Sequence, residues 1–517
     1  MKKICSIALA ILLMVLVAQP AFCEENQTND SPVIYIIGRT TIYNSSWNKI
    51  PNLGDADIGG AVKECLPEFA KALLLGQWDK YEQKLQDVIF PMFAGFGMTP
   101  ELNTTEGRNS TWNKFTSAYV SPELSEYQYC YDARRSPLDV AADLNAMIEK
   151  VKAQTGSEKI SIISRCLGTN VAMAYIAEYQ RPVNYEGLDN VVFYDGAMNG
   201  LETIEGAFSG NITVTREAAS AFLKTLDLDV GEEKLNAIVS EALKILADSY
   251  GVVLTADLVE KVCSKLKNTF FIDFLQYTLA STPGYWSMCN DGYEDAKRYV
   301  FCRDGDPEKW AALIAKADDF HYNVQEHNEE FITEMVSQGV DVNVVCKYGQ
   351  PAYPISGSAA NAISDSQTSV WKQSFGAKTS TVSTTLGSSY VRVAAENGKA
   401  DYISPDKQID ASSCLLPENT WFISNYEHDP FYLTLDPFLY ELCHTKGITV
   451  NTDELYPRFL IIDDATQNAV PQTEENCDIN GIELSDPDTD GYLRGFFTRL
   501  LNRFRSFINI FRILLSK

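Results

Sequence analysis

Cys166 is the residue best placed to do covalent chemistry. It lies in Ser164-Arg165-Cys166-Leu167-Gly168, where a β-branched run ends at Ser164 and a helix-period pattern begins at Gly168. The spacing matches the nucleophile elbow G-x-S-x-G, with cysteine at the nucleophile and serine in place of the first glycine. A nucleophile in a strand-to-helix turn needs small residues two before and two after it, so that strand and helix can pass closely. Ser164 and Gly168 meet that need. The backbone N–H of Leu167 then falls at the positive end of the following helix, where it can donate to an oxyanion. A thiolate also gains there, from the helix N-terminus and from the adjacent Arg165. A buried core cysteine is the plain alternative for a lone Cys; the strand–turn–helix setting favours the elbow.

An elbow cysteine needs a base and an acid. The chain has four histidines, His321, His327, His428 and His444. In the order nucleophile, acid, histidine, the histidine sits on a loop after the last strand. His428, in Asn425-Tyr426-Glu427-His428-Asp429-Pro430, directly follows the strand-like run 420–425 and is the choice. The acid should follow the preceding strand and orient the imidazole. Asp406, Asp410 and Asp365 are the available aspartates, with Asp406 leading. A second oxyanion donor is expected from the loop after the first strand, the backbone of Arg39 or Thr40.

These residues need a scaffold, and strands alternate with helices along the chain. Residues 32–38, 126–131, 159–164, 190–196 and 342–349 read as strands. A helical pattern covers residues 58–88. Ser136-Pro137-Leu138-Asp139 opens another helix, with serine as cap and proline in the first turn, running to about residue 154 before Thr155-Gly156. Alternation of this kind indicates a mostly parallel sheet. The expected class is α/β, an α/β-hydrolase fold with helices on both faces, an inserted helical cap and a C-terminal amphipathic helix. The expected segments are a signal peptide (1–23), core (32–200), cap (201–340), core (341–445), an extension (446–491) and a basic amphipathic helix (492–517).

The start, Met1-Lys2-Lys3 followed by a short apolar run and Phe22-Cys23, reads as a signal peptide of bacterial type. Export implies a secreted or extracellular protein. Ten of the twelve cysteines lie beyond that segment, so some disulfides are expected. The net charge of −26 argues against a nucleic-acid partner. In the tail, Phe496, Phe497, Phe504, Phe507 and Phe511 share one helical face, with Arg499, Arg505 and Arg512 on the other. This is the pattern of a helix lying on a membrane surface, or of one packed on the acidic protein itself. Asp486-Pro487-Asp488-Thr489-Asp490-Gly491 imitates the start of a calcium loop, but Phe497 stands where a bidentate acid belongs. No zinc-like spacing and no phosphate-binding glycine loop occurs, so neither metal nor cofactor is expected.

With these residues placed, the chain resembles the lecithin:cholesterol acyltransferase and lysosomal phospholipase family of α/β-hydrolases, over about residues 32–430. Tyr131-Asp132-Ala133-Arg134-Arg135-Ser136-Pro137 is similar to that family's Y-D-W-R-x-S-P, and Tyr348-Gly349-Gln350-Pro351 to its Y-G-x-P. Asp406-Lys407-Gln408-Ile409 falls at its D-G-T-V, which carries the catalytic aspartate. His428 falls at its histidine, and Gly38 begins its oxyanion loop. Cys346 and Cys414 fall where one member has a disulfide; Cys289 with Cys302 is expected as a second, within the cap. The family's nucleophile is serine, so Cys166 is a departure, though dienelactone hydrolases and polyhydroxyalkanoate synthases resemble this solution. The resemblance implies an acyl-ester hydrolase or O-acyltransferase acting on lipid-like esters through Cys166, His428 and Asp406. The competing expectation is an inactive protein of the same fold that binds lipid or a surface.

Overall fold

Apolar residues of the expected strands sort alternately onto the two faces of one sheet. In the computed structural model, Ile34, Ile36, Ile160, Ile162, Val191, Phe193, Val342 and Val344 enter one core, while Val33, Tyr35, Ile163, Val192, Tyr194 and Val345 enter the other. That period of two is the strand periodicity, and burial of both faces is what a parallel sheet requires. The structure describes residues 31–38, 57–103, 127–211, 219, 251–302, 307–351, 362–381, 384–428, 435–463 and 465–477. The signal segment 1–23, Arg39, Thr40, the calcium-like run 486–491 and the tail 492–517 lie outside the described residues.

The strands are β1 (Val33–Ile36), β2 (Tyr127–Tyr129), β3 (Ile160–Arg165), β4 (Leu188–Tyr194) and β5 (Asp341–Lys347). Two small antiparallel ribbons follow, β6 (Gln350–Pro351) with β7 (Ile363–Ser364) and β8 (Lys378–Thr379) with β9 (Ile409–Asp410). Then come β10 (Thr420–Ser424), β11 (Phe459–Ile462) and β12 (Ala469–Pro471). Among the described residues the main sheet has eight strands, in the order β12-β11-β10-β5-β4-β3-β1-β2. All neighbours are parallel except β11 with β12. The chain leaves β1 toward β2 on one side and leaves β3 toward β4 on the other. The sheet order therefore reverses between β1 and β3, and the carboxyl ends of strands at such a point are where open α/β sheets bind ligands.

Helix Pro137–Thr155 closes with Gly156 in the left-handed region, as expected, although Ser136 makes no side-chain cap bond. It packs with the elbow helix Gly168–Tyr175 on one face of the sheet. Helix Asp436–His444 covers the other face with Leu435, Phe438, Leu439 and Leu442. The expected helix over 58–88 is two helices, Ile58–Leu75 and Trp78–Ile89, because Gly76 turns left-handed between them at φ 70°. The 201–340 block is helical where described, but its final helix, Asn328–Ser337, packs on β5 as part of the sheet's own cover. The strand expected to be last is not: β11 and β12 extend the sheet, so part of the expected extension 446–491 belongs to the core. Among the described residues, no helix is long and apolar enough to cross a membrane.

The expected disulfides are absent. Cys346 and Cys414 are both buried and both free, as are buried Cys289 and exposed Cys302. Burial pushes the thiols of Cys346 and Cys414 up, the latter to about 11, as expected of core cysteines.

Candidate active site

Cys166 occupies the turn between β3 and the elbow helix with φ 49°, a conformation that non-glycine residues seldom adopt. Asp195 after β4 and Asn425 after β10 are also left-handed, at φ 42° and 55°. Strained backbone thus clusters at the carboxyl ends of three strands, the usual place for it to be functional. The turn is tied down on each side. Cys166 N–H donates to Asp195 Oδ1 at 2.9 Å, and its carbonyl accepts from Thr169 Oγ1 at 2.6 Å. Thr169 Oγ1 in turn accepts the N–H of Ala197.

Gly168 is needed for the steric reason expected. A Cβ on Gly168 would lie 2.6 Å from the carbonyl oxygens of both Ile36 and Ile37. The elbow helix therefore crosses β1 at a distance only glycine allows. A Cβ on Gly38 would lie 2.8 Å from Cys166 Cβ. The segment leaving β1 and the elbow leaving β3 thus meet at the point where the strand order reverses. Leu167 precedes the first turn of the elbow helix, where the leading N–H groups have no acceptor within the helix. Tyr131 Oη donates to the Gly38 carbonyl at 2.9 Å and fixes the other wall.

The histidine is held from two directions. Its Nδ1 lies 2.7 Å from Asp365 Oδ2, and its backbone N–H donates to the Asp365 carbonyl at 2.8 Å. The other carboxylate oxygen of Asp365 accepts the N–H groups of Gln367 and Thr368 at 3.0 and 2.8 Å. This Asx turn fixes the acid before the histidine meets it. Both side chains are buried, while Cys166 remains partly exposed. Burial alone would push the imidazole down. Interaction with Cys166, followed by that with the Asp365 and Asp195 carboxylates, outweighs it and holds His428 well above its ordinary value. Nδ1 is thus taken by Asp365.

Asp406, the leading expectation for the acid, does not contact His428. It accepts from Tyr348 Oη at 2.8 Å, Gln472 Nε2 at 2.9 Å, Ser404 Oγ at 2.5 Å and the N–H of Gln408 at 3.0 Å. These bonds make it the centre of a buried turn that docks β12 against the end of β5. Asp410 bonds Tyr390 and belongs to the same side of the molecule. Asp365 is the acid that reaches the imidazole. The other histidines are engaged elsewhere: buried His321 bonds Gln325 and stacks on Tyr293, His327 pairs with Glu330, and His444 bonds the Tyr440 carbonyl.

Two charged residues in the strand ends join this site unexpectedly. Lys347, fully buried at the end of β5, lies 2.8 Å from Asp195 Oδ2, which also accepts from Arg165 Nε at 2.9 Å. Burial pushes Asp195 up, but Arg165 and Lys347 more than reverse this and keep it ionised. A charge within an otherwise apolar strand run was the available signal for both residues. Asp195, Asp365 and His428 also bring three metal-ligand atoms within 4.8 Å of one another. Two resident cations already neutralise Asp195 and Nδ1 is bonded to Asp365, so this donor set fits an ion-pair network rather than a metal.

No family model and no curated protein matches the chain. Among solved structures, a Tle4–Tli4 complex is similar at 11% identity with a TM-score of 0.26, covering 64% of this chain and 77% of that one. Similarity of that order carries no weight for fold or activity.

Proposed function

We propose that this chain is an exported enzyme of α/β-hydrolase type that transfers acyl groups through a cysteine nucleophile, acting as an ester hydrolase or O-acyltransferase. One observation carries the reading. A buried Asp365–His428 pair 2.7 Å apart interacts electrostatically with Cys166 and is tied through Arg165 and Asp195 to its left-handed turn at the sheet's reversal point. The chain order nucleophile, acid, histidine is that of the α/β-hydrolases.

The chemistry follows from the groups present. The Cys166 thiolate attacks the ester carbonyl and forms the C–S bond, and the carbonyl oxygen becomes an oxyanion to which the Leu167 N–H donates. Collapse breaks the C–O bond, and the imidazolium of His428 gives its Nε2 proton to the leaving alkoxide. The neutral imidazole then takes a proton from water or an acceptor alcohol as that oxygen attacks the thioester. Acid or new ester leaves, and thiolate and imidazolium are restored. Asp365 holds the ring and stabilises its charged form. Lipid-like esters are the substrate class suggested by the family resemblance and by the amphipathic tail.

The test is hydrolysis of a short-chain aryl ester by the full chain. Cys166→Ala should abolish it, and Cys166→Ser should leave a weakened enzyme. An alanine variant as active as the parent would remove Cys166 as the nucleophile, and a parent chain that hydrolyses no ester would leave an inactive surface- or lipid-binding protein as the better reading.

A further inference from the structure

We propose that Asp195, Arg165 and Lys347 form a buried positioning relay that ties the Cys166 elbow to the His428 loop and balances charge between thiolate and imidazolium. The inference rests on the acyl-transfer reading above and names residues outside its catalytic triad.

The geometry links four strand ends through one carboxylate and one carbonyl. Asp195 Oδ1 accepts the Cys166 N–H at 2.9 Å, while Oδ2 takes Arg165 Nε at 2.9 Å and Lys347 Nζ at 2.8 Å. Both cations then donate to the backbone carbonyl of His428, Lys347 at 3.0 Å and Arg165 through Nη2. The ends of β3 and β5 supply the cations, the loop after β4 the carboxylate, and the loop after β10 the carbonyl. Lys347 Nζ also stands 4.6 Å and 4.2 Å from the ring centroids of Tyr194 and Tyr426, whose hydroxyls bond each other at 2.9 Å. Buried ion pairs are weak sources of stability, since apolar residues of similar volume often serve as well. Holding a loop down does not by itself call for two buried cations; a nearby pair that must carry charge does.

The charged and titratable groups around that pair are Asp365, Asp195, Arg165, Lys347 and the phenols of Tyr131, Tyr194 and Tyr426. Burial keeps Tyr131 and Tyr194 neutral. The two carboxylates and two cations sum to zero, leaving the thiolate–imidazolium pair in a balanced field. Neutralising Lys347 leaves one excess negative charge, which opposes the thiolate and favours protonated imidazole. Thiolate formation then needs a higher pH. Neutralising Asp195 leaves one excess positive charge and moves it lower.

The measurement is the pH midpoint for alkylation of Cys166 by iodoacetamide in the full chain, read on the Cys166 peptide by mass spectrometry. Lys347→Met should raise the midpoint by about 0.5–1 pH unit and Asp195→Asn should lower it by a similar amount. The double variant and Lys347→Arg should stay near the parent. If Lys347→Met does not fold, the downward shift in Asp195→Asn carries the test, and its absence overturns the proposal. A common midpoint in all folded variants, even with slower ester hydrolysis, would reduce the cluster to scaffold. A parent midpoint near an ordinary thiol's, unchanged in His428→Gln, would instead remove the acyl-transfer reading itself.

Discussion

Asp365 Oδ2 and His428 Nδ1 lie 2.7 Å apart across 63 residues of chain, and the same two residues are also joined through backbone, His428 N–H to Asp365 C=O at 2.8 Å. The ribbon of β6 and β7 bridges Asp365 to Gln350, just past the end of β5, and β10, which pairs with β5 in the main sheet, leads to His428. The acid and the base thus come from a small ribbon and a main-sheet strand that both adjoin β5.

Asp365→Asn should lower kcat/KM for a short-chain ester by about 10²–10⁴-fold, by losing control of the imidazole tautomer and charge. Asp406→Asn should cost stability, read as a lower Tm, with kcat/KM within a few-fold of the parent. Steady-state kinetics and thermal melts on both variants check this. The reverse pattern would restore Asp406 as the acid.

Much of the site was legible because each piece had local chemistry. The elbow showed as a β-branched run, a small–x–Cys–x–Gly turn and a helix start, and Gly38 and Gly168 prove to be needed for close approach. His428 followed from chain order. The acid was ambiguous because its choice depends on contact across the fold: Asp365-Ser366-Gln367-Thr368 and Asp406-Lys407-Gln408-Ile409 are both plausible polar turns. Only the placement of β7 separates them. The run Phe459–Ile462 carried a readable strand pattern, closed by Asp463, yet treating the strand before His428 as the last hid it. The Asp195–Lys347 pair was illegible as a pair, since periodicity reports which residues are buried and not which charges meet.

His428 gives the folded state a pH-dependent term of definite sign. Its folded pKa is raised above the unfolded value of about 6.5, so its stabilisation is complete below that pH. The term is lost as pH rises through the folded value. Urea denaturation of the parent and His428→Gln between pH 6 and 9 should show the parent losing stability relative to the variant as pH increases. A gap that widens with pH would contradict the assigned charge state.

The thiols offer an independent check on the fold. Peptide mapping without reductant, after alkylation in denaturant, should find Cys346 and Cys414 both labelled as free thiols. Recovery of a Cys346–Cys414 cross-linked peptide would show that the loop after β9 is stapled to β5, as the family resemblance implies.

For the tail, partial burial of five phenylalanines at roughly 1.5–3 kcal/mol per fully buried side chain is ample to hold a protein at a bilayer. Arginines add about 1 kcal/mol each near anionic lipid. Removing residues 492–517 should reduce sedimentation with anionic vesicles while leaving soluble-ester hydrolysis largely intact. Loss of soluble-ester activity in a truncated chain would place the segment in the folded core instead.

The central claim is a covalent acyl-thioester on Cys166, and rapid quenching in acid during turnover of an activated short-chain ester, followed by intact-mass and peptide analysis, tests it most directly. The account predicts a mass increase of one acyl group, confined to the Cys166 peptide, released by hydroxylamine and absent in Cys166→Ala. Turnover with no acyl adduct on that peptide, or an adduct that persists elsewhere in Cys166→Ala, would contradict it.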